Sequence, residues 1–177
     1  MSFDLSEVKL GFVGTGKIGS AVARGFARCN PPPAAILVSP RSREKAEALK
    51  KEFPDIITIA ETNEEVVSGA DVVFYGLLPE VAREVLPKMP YRPDQMIVSM
   101  MAAIDYEETL TLPAGIIPQG NIVRTVPLPS AATKSSPTLM HPPNPRAEAL
   151  LNCVGSCVAC AKETEMKPLI CLTAHIS

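Results

Sequence analysis

Short apolar runs alternate along this chain with segments in which apolar residues recur every three or four positions. Runs typical of strands lie at residues 7–14, 35–39, 55–60, 71–78, 95–100 and 121–126. Helical periodicity predicts helices at residues 17–29, 42–53, 62–70, 79–89 and 106–110. In the first helix one face carries Ile18, Val22, Ala23, Phe26 and Ala27. The alternation predicts an α/β fold with a doubly wound, mostly parallel sheet and helices on both faces.

The pattern changes after residue 126. Residues 127–137 form a proline-rich loop, and strand candidates at 138–141 and 157–161 flank a predicted helix at 144–155. We predict helix N-caps at Ser42 and at Thr62 or Asn63, because short polar side chains accept hydrogen bonds from free N–H groups. His141 is expected to be a loop residue ahead of the next prolines.

The composition is that of an ordinary globular domain. Of 177 residues, 46% are hydrophobic and 20% are charged, and the formal net charge is -2. This balance, without a cluster of Lys and Arg, argues against a nucleic-acid partner. No apolar run approaches the length of a membrane span, and no secretion signal opens the chain. We therefore expect a cytoplasmic protein that does not bind membranes.

Five cysteines, an odd number without a secretion signal, are expected to be free thiols. Cys157 and Cys160 form a C-x-x-C pair, which is compatible with redox chemistry or zinc binding. We favour a structural interpretation, because "SCVACA" is typical of a buried strand in which positions three apart point to opposite faces. We predict no metal site, since no His, Asp and Glu cluster has the spacing of metal ligands.

Three glycines in "GFVGTGKIGS" lie between the first predicted strand and the first helix. In a Rossmann-like fold, Gly14 permits the tight turn, Gly16 lets the backbone approach a pyrophosphate, and Gly19 lets the helix pack closely on the sheet. The helix N-terminus adds free N–H groups and a partial positive charge. The alternative is a tight turn without a ligand. The predicted cofactor contacts are Gly14, Thr15, Gly16, Lys17, Ile18 and Gly19.

The end of the second strand indicates which dinucleotide fits. An NAD site usually carries a carboxylate there, whereas "VSPRSRE" has no acid before Glu44. Ser39, Arg41 and Ser42 offer hydroxyls and a guanidinium group, which suit a ribose 2′-phosphate. We therefore predict NADP(H) as the cofactor. The alternative is that Arg41 and Arg43 are solvated residues at a helix start.

With these motifs, the chain resembles the pyrroline-5-carboxylate reductase family, NADPH-dependent enzymes of proline biosynthesis. The resemblance rests on segments in family order: "LGFVGTGKIGSAVARGF", "VSPRS", "ETNEEVVSGADVVFYGLLP", "IVSMMAAI", "NIVRTVPLP" and "LLNCVGSCV". It implies hydride transfer to the C=N carbon of a small cyclic imino acid. It also implies further cofactor contacts at Asn63, Leu77, Leu78, Pro79, Ala102 and Ala103.

The chain departs from the family pattern near the expected reaction centre. Leu78 stands where the family has Lys, Ala103 where it has Gly, and Leu128 where it has Asn. A leucine cannot make the hydrogen bond of an amide side chain. These departures favour cofactor binding without catalysis.

The last residues, "LTAHIS", stand where the family begins a long helical domain that forms the dimer and the substrate pocket. We therefore divide the chain into an NADP-binding Rossmann-like domain at 1–162 and the start of a truncated helical segment at 163–177. Thr173 and Ser177 are weak candidates for substrate contacts, and His175 is either an acid or a frayed terminal residue. A homo-oligomer is expected only if the helical domain is present, whereas exposed apolar residues in segment 166–172 predict non-native association.

Three functions stay open at this point. The first is an NADPH-dependent reductase of the pyrroline-5-carboxylate reductase type, and the second is an inactive NADP-binding relative that acts as a sensor or partner subunit. The third is a related NADP oxidoreductase with another substrate or another hydride carrier, because neither the fold nor the glycine motif names the substrate.

Overall fold

A computed structural model describes residues 3–166 and shows one eight-stranded sheet with helices on both faces. The strands are β1 Lys9–Val13, β2 Ala35–Val38, β3 Ile57–Ile59, β4 Val72–Tyr75, β5 Met96–Ser99, β6 Ile122–Val126, β7 Ser136–His141 and β8 Gly155–Ala159. The α-helices are α1 Lys17–Ala27, α2 Arg43–Glu52, α3 Asn63–Gly69, α4 Pro79–Val85, α5 Tyr106–Thr111 and α6 Pro145–Leu151. The predicted Rossmann-like α/β fold is confirmed.

The strand order is β3-β2-β1-β4-β5-β6-β7-β8, and all neighbouring strands run parallel except β6 and β7. The chain builds outward from β1 to β3 and then returns to place β4 on the other side of β1. This reversal leaves a crevice between the carboxyl ends of β1 and β4. Open α/β sheets bind ligands at such a crevice.

Side chains of the central strands alternate between two apolar layers. On one face Phe12 and Phe74 stack with ring centroids 4.6 Å apart, and Phe26 of α1 packs on Phe74. On the other face Val13 and Tyr75 pack in the layer that contains α3, α4 and α5. Because strands such as β4 are buried on both faces, their sequences are continuous apolar runs rather than alternating ones.

The predicted helix starts differ in how they are capped. Thr62 is the N-cap of α3, and its hydroxyl accepts a hydrogen bond from the N–H of Glu65 at 3.2 Å. Ser42 occupies the N-cap of α2, but its side chain makes no capping hydrogen bond. The predicted cap at Ser42 is therefore correct in position and wrong in its hydrogen bond.

The end of the sheet differs from the predictions. Strand β8 is an exposed edge strand rather than a buried one, with Val158 48% exposed, because within residues 3–166 it pairs only with β7. His141 is the last residue of β7 rather than a loop residue. Its ring lies edge-on to Tyr106, and its Nδ1 is 3.1 Å from the Cys160 carbonyl oxygen.

The cysteines of the described region, Cys29, Cys153, Cys157 and Cys160, are free thiols, and Cys171 lies outside that region. Burial, with smaller contributions from Glu148 and Cys160, raises the pKa of the Cys157 thiol to about 11. A raised pKa lowers the fraction of thiolate that redox exchange requires. Residues 3–166 contain no group of three or more potential metal ligands, and no helix among them is long and apolar enough to cross a membrane.

Candidate functional site

The glycine loop joins β1 to α1 at the crevice. Gly14 has a φ of 103°, and a Cβ there would lie 2.4 Å from the Gly76 carbonyl oxygen. A Cβ on Gly19 would lie 2.4 Å from the Gly14 carbonyl oxygen, so both positions require glycine. A Cβ on Gly16, in contrast, would meet no atom of residues 3–166 within 4 Å. Gly16 therefore leaves open space beside the backbone, which a ligand could fill.

Helix α1 begins at this open space. Its N-cap is Gly16, which has no side chain to accept hydrogen bonds from the first N–H groups of the helix. No acidic residue occupies the first turn, and the exposed Lys17 adds positive charge. The free donors and the helix dipole together suit the oxygen atoms of a phosphate.

Neighbouring side chains hold the loop in place. The buried Ser39 hydroxyl accepts a hydrogen bond from the Gly14 N–H at 3.0 Å. The Ser20 hydroxyl donates to the Thr15 carbonyl at 2.9 Å. The hydroxyl of Thr15 is itself buried and has no partner within the described part of the chain. Ser39, predicted as a ligand contact, therefore also supports the loop, whereas Thr15, predicted as another contact, is fully buried.

These elements border an open cleft of about 430 Å³. The cleft is lined by Gly14, Gly16, Ser39, Arg41, Ser42, Asn63, Gly76, Leu77, Leu78 and Val81. The structure thus brings together eight residues that were predicted from separate segments of the sequence. Gly76 and Val81 were missed. A glycine directly after the buried strand β4 was the available signal for Gly76, whereas nothing in the sequence distinguished Val81.

The two arginines ahead of α2 have different surroundings. The Nε of Arg43 donates to Glu47 at 2.8 Å within the same helix, and Arg43 does not line the cleft. Arg41 is exposed, lines the cleft and makes no ion pair with any residue in the 3–166 range. The Arg41 guanidinium is therefore available to an anionic ligand beside Ser42, whereas Arg43 fits the alternative of a solvated residue.

The cleft wall on the α4 side is apolar. Leu78 is the N-cap of α4 and is 71% exposed, and Leu77 and Val81 flank it. A leucine so exposed at the rim of a cleft offers an apolar surface on which a planar ring can pack. It offers no charge, unlike the Lys that the resembled family has at this position.

The other predicted residues surround the cleft without lining it. Thr15 and Gly19 are buried, Ile18 and Pro79 are half-buried, and Lys17, Ala102 and Ala103 are exposed. Ala102 and Ala103 form a turn after β5, next to the end of β4, because the Met100 N–H donates to the Tyr75 carbonyl at 2.9 Å. Thr173, His175 and Ser177 lie outside the described residues.

A family described as NADP oxidoreductase, coenzyme F420-dependent, matches residues 9–103, which is more than half of the chain. The chain belongs to this family. The part shared with the NADP oxidoreductase family runs from the start of β1 to Ala103 in the turn after β5. It contains every residue from Gly14 to Ala103 that was predicted to contact a cofactor.

Curated relatives carry a more specific name. The chain is 28% identical over 128 residues to pyrroline-5-carboxylate reductase 3 of Danio rerio, covering 70% of this chain and 42% of that protein. It is 29% identical over 139 residues to the pyrroline-5-carboxylate reductase of Escherichia coli (strain K12), covering 77% and 50%. The chain thus spans about half or less of the length of these relatives. The resemblance inferred from the motifs is confirmed.

A solved structure shows the same fold. The pyrroline carboxylate reductase of Plasmodium falciparum with NADP bound superposes with a TM-score of 0.78 at 19% identity. The match covers 97% of this chain and 64% of that one. This chain therefore shares its fold with about two thirds of that protein.

Proposed function

We propose that this chain binds NADP(H) in the cleft and acts as an NADPH-dependent reductase of the pyrroline-5-carboxylate reductase type. The observation that carries the proposal is the shared cleft, which places the open backbone of Gly16 and the exposed Arg41 along one surface. The family description, which names NADP, and the curated relatives support the same function.

The residues present fit this cofactor. The N-terminus of α1, opened by Gly16, would receive the pyrophosphate, and Arg41 with Ser42 would bind the ribose 2′-phosphate. Among residues 3–166, no carboxylate lines the cleft to favour NAD instead. The apolar wall around Leu78 would pack against a ring of the cofactor and exclude water from it.

Bound NADPH would supply the hydride for reduction of the C=N bond of a cyclic imino acid. In this proposal, residues 1–162 are the NADP-binding domain, and residues 163–177 begin a further segment that offers Thr173 and Ser177 to the substrate. The relatives extend beyond the matched region, and we assign the rest of the substrate pocket and the homo-oligomer contacts to such additional sequence. A cytoplasmic location belongs to the same proposal.

Two alternatives have specific support. Leu78 lines the cleft where the resembled family has Lys, which supports an inactive NADP-binding relative that acts as a sensor or partner subunit. The family description also names coenzyme F420, which supports a related oxidoreductase with another hydride carrier. Both alternatives retain the NADP(H) site, but the first transfers no hydride and the second exchanges it with another carrier.

A titration of the purified chain with NADPH and NADH, followed by fluorescence and thermal shift, tests the cofactor. We expect tighter binding of NADPH. Arg41→Ala should weaken NADPH binding about tenfold, which corresponds to the loss of one charge-assisted hydrogen bond of ~1.5 kcal/mol, and should leave NADH binding unchanged. Arg43→Ala is the matched control and should bind both as the wild type does.

The outcomes separate the candidate functions. No binding of either nucleotide would refute the cofactor proposal, and equal binding of both would refute the role of Arg41. If NADPH binds, its absorbance is followed after addition of pyrroline-5-carboxylate or of oxidised coenzyme F420. Consumption with pyrroline-5-carboxylate supports the reductase, and consumption with F420 supports the second carrier. Binding without consumption supports the inactive relative when the assay is repeated on a chain that carries the additional sequence of its relatives.

A further inference from the structure

A buried arginine on β6 contacts the turn after β5. Arg124 is 5% exposed, and its Nη2 donates to the carbonyl of Ala102 at 2.8 Å. Its Nη1 donates to Glu163 Oε1, also at 2.8 Å. Glu163 belongs to a short 3₁₀ helix, Glu163–Met166, that follows β8. The arginine therefore joins the turn to a segment far along the chain.

The same carboxylate oxygen has a second donor. Glu163 Oε1 accepts the backbone N–H of Tyr106, the first residue of α5, at 2.8 Å. The Arg124–Glu163 pair thus contacts both ends of the connection between β5 and α5, at Ala102 and at Tyr106. Charge-assisted hydrogen bonds of this length are the stronger ones in proteins. The connection is held at two points by one ion pair.

Stability alone does not account for this pair. The Nε of Arg124 is buried and has no partner within residues 3–166. A buried donor without a partner destabilises the fold, and well-packed apolar residues often replace a buried ion pair without loss. The feature that the pair does supply is a defined position for the Ala102–Ala103 turn.

This turn follows Met100, whose side chain lies beside the cleft. The Met100 Cε is 3.6 Å from the place where a Cβ of Gly76 would be, and Gly76 lines the cleft. In the sheet, β5 and the turn lie on one side of β1, whereas β2 with Arg41 lies on the other. A dinucleotide with its 2′-phosphate at Arg41 therefore extends its nicotinamide half toward the turn.

We propose that Arg124 and Glu163 are positioning residues that set the Ala102–Ala103 turn against the nicotinamide half of NADP(H). The inference rests on the proposed cofactor. It predicts that the Arg124–Glu163 pair affects binding of the nicotinamide half of the dinucleotide and does not affect binding of the half with the 2′-phosphate. Arg124 does not touch the cofactor in this arrangement but acts through the carbonyl of Ala102.

Two ligands separate the halves of the cofactor. The full chain with Arg124→Gln is titrated with NADPH and with adenosine 2′,5′-bisphosphate, which has the 2′-phosphate but no nicotinamide. We expect NADPH to bind about fivefold more weakly, which is the effect of one lost hydrogen bond, and the bisphosphate to bind within about twofold of wild type. The fluorescence of bound NADPH should also shift toward that of the free nucleotide, because the nicotinamide is less well held.

Two further variants keep the test decisive. Glu163→Gln retains the shape of the side chain and an acceptor oxygen. It should therefore weaken NADPH binding, but by less than Arg124→Gln does. If Arg124→Gln does not fold, the Glu163→Gln variant replaces it in the titrations. Arg92→Gln is the control, because Arg92 also donates to backbone carbonyls, those of Ser68 and Ala70, at the opposite end of the sheet. It should lower thermal stability and leave both affinities unchanged.

Equal weakening of both ligands by Arg124→Gln, or wild-type binding of both, would overturn the positioning role while leaving the proposed function intact. Failure of the wild-type chain to bind either ligand would instead refute the proposed cofactor, and the positioning role with it. A selective loss of NADPH affinity would establish that β6 and the segment after β8 shape the cofactor site.

Discussion

Alanine at two glycines of one loop should separate fold stability from ligand binding. At Gly14 the backbone has a φ of 103°, and the added methyl would lie 2.4 Å from the carbonyl oxygen of Gly76 on the adjacent strand connection. At Gly16 the backbone has a φ of -64° and a ψ of -170°, which alanine adopts without strain, and the methyl would meet no atom of residues 3–166 within 4 Å. The same chemical change thus meets opposite surroundings two residues apart.

The structure sets the size of each effect. Gly14→Ala should cost roughly 2–4 kcal/mol, from a strained backbone conformation and from overpacking against a carbonyl that cannot move alone. In a chain of this length, that loss lowers the Tm by about 5–15 °C. Gly16→Ala should stabilise the fold by about 0.4–1 kcal/mol through the unfolded chain, offset by the poorer N-cap preference of alanine. Its Tm should therefore stay within about 3 °C of wild type.

The effect of these substitutions on NADPH affinity should differ from their effect on stability. The methyl of Gly16→Ala fills the space where the pyrophosphate would approach, so NADPH affinity should fall about tenfold or more as charge-assisted hydrogen bonds are lost. The assay combines thermal unfolding followed by circular dichroism without ligand and NADPH fluorescence titration. Wild-type NADPH affinity in Gly16→Ala would refute the placement of the pyrophosphate. A wild-type Tm in Gly14→Ala would refute the close contact with Gly76.

Two further substitutions test the surrounding framework. Thr62→Ala removes the hydrogen bond to the Glu65 N–H at the start of α3, so it should cost about 1 kcal/mol, or about 2–4 °C in Tm, without changing NADPH affinity; an unchanged Tm would contradict the cap. Burial raises the pKa of Glu52, but its hydrogen bonds with Arg24 and Arg28, each 2.7 Å long, lower it to a net value below the usual range. A lowered folded-state pKa stabilises the protein above the unfolded-state pKa, and this contribution disappears as the pH falls through the folded-state pKa. The Tm difference between wild type and Glu52→Gln should therefore shrink in acid, and a difference independent of pH would show that the ion pairs contribute nothing.

The local pattern of apolar and polar residues determined the type and order of the helices and strands. Strands buried on both faces, such as β4, must be apolar at every position, and a helix packed on one side must repeat its apolar residues with the helical period. Both rules act between near neighbours in the chain, so the order of the elements was visible in the sequence. The glycine loop was visible partly for the same reason, because Gly19 is required by a contact with Gly14 in the same turn, whereas the contact of Gly14 with Gly76 joins distant parts of the chain.

Tertiary structure decided which of these residues meet. Two arginines two positions apart look alike in sequence, yet Glu47 holds Arg43 on α2 while Arg41 lines the cleft. The pair of Arg124 and Glu163 depends on the segment after β8 returning beside β6, which no local periodicity records. Strand β8 has an apolar sequence but lies exposed at the edge, because burial depends on the neighbouring strand and not on the residues themselves. The sequence therefore determined the elements and the glycine loop, whereas strand order and register, set by contacts between distant residues, determined the cleft and its supports.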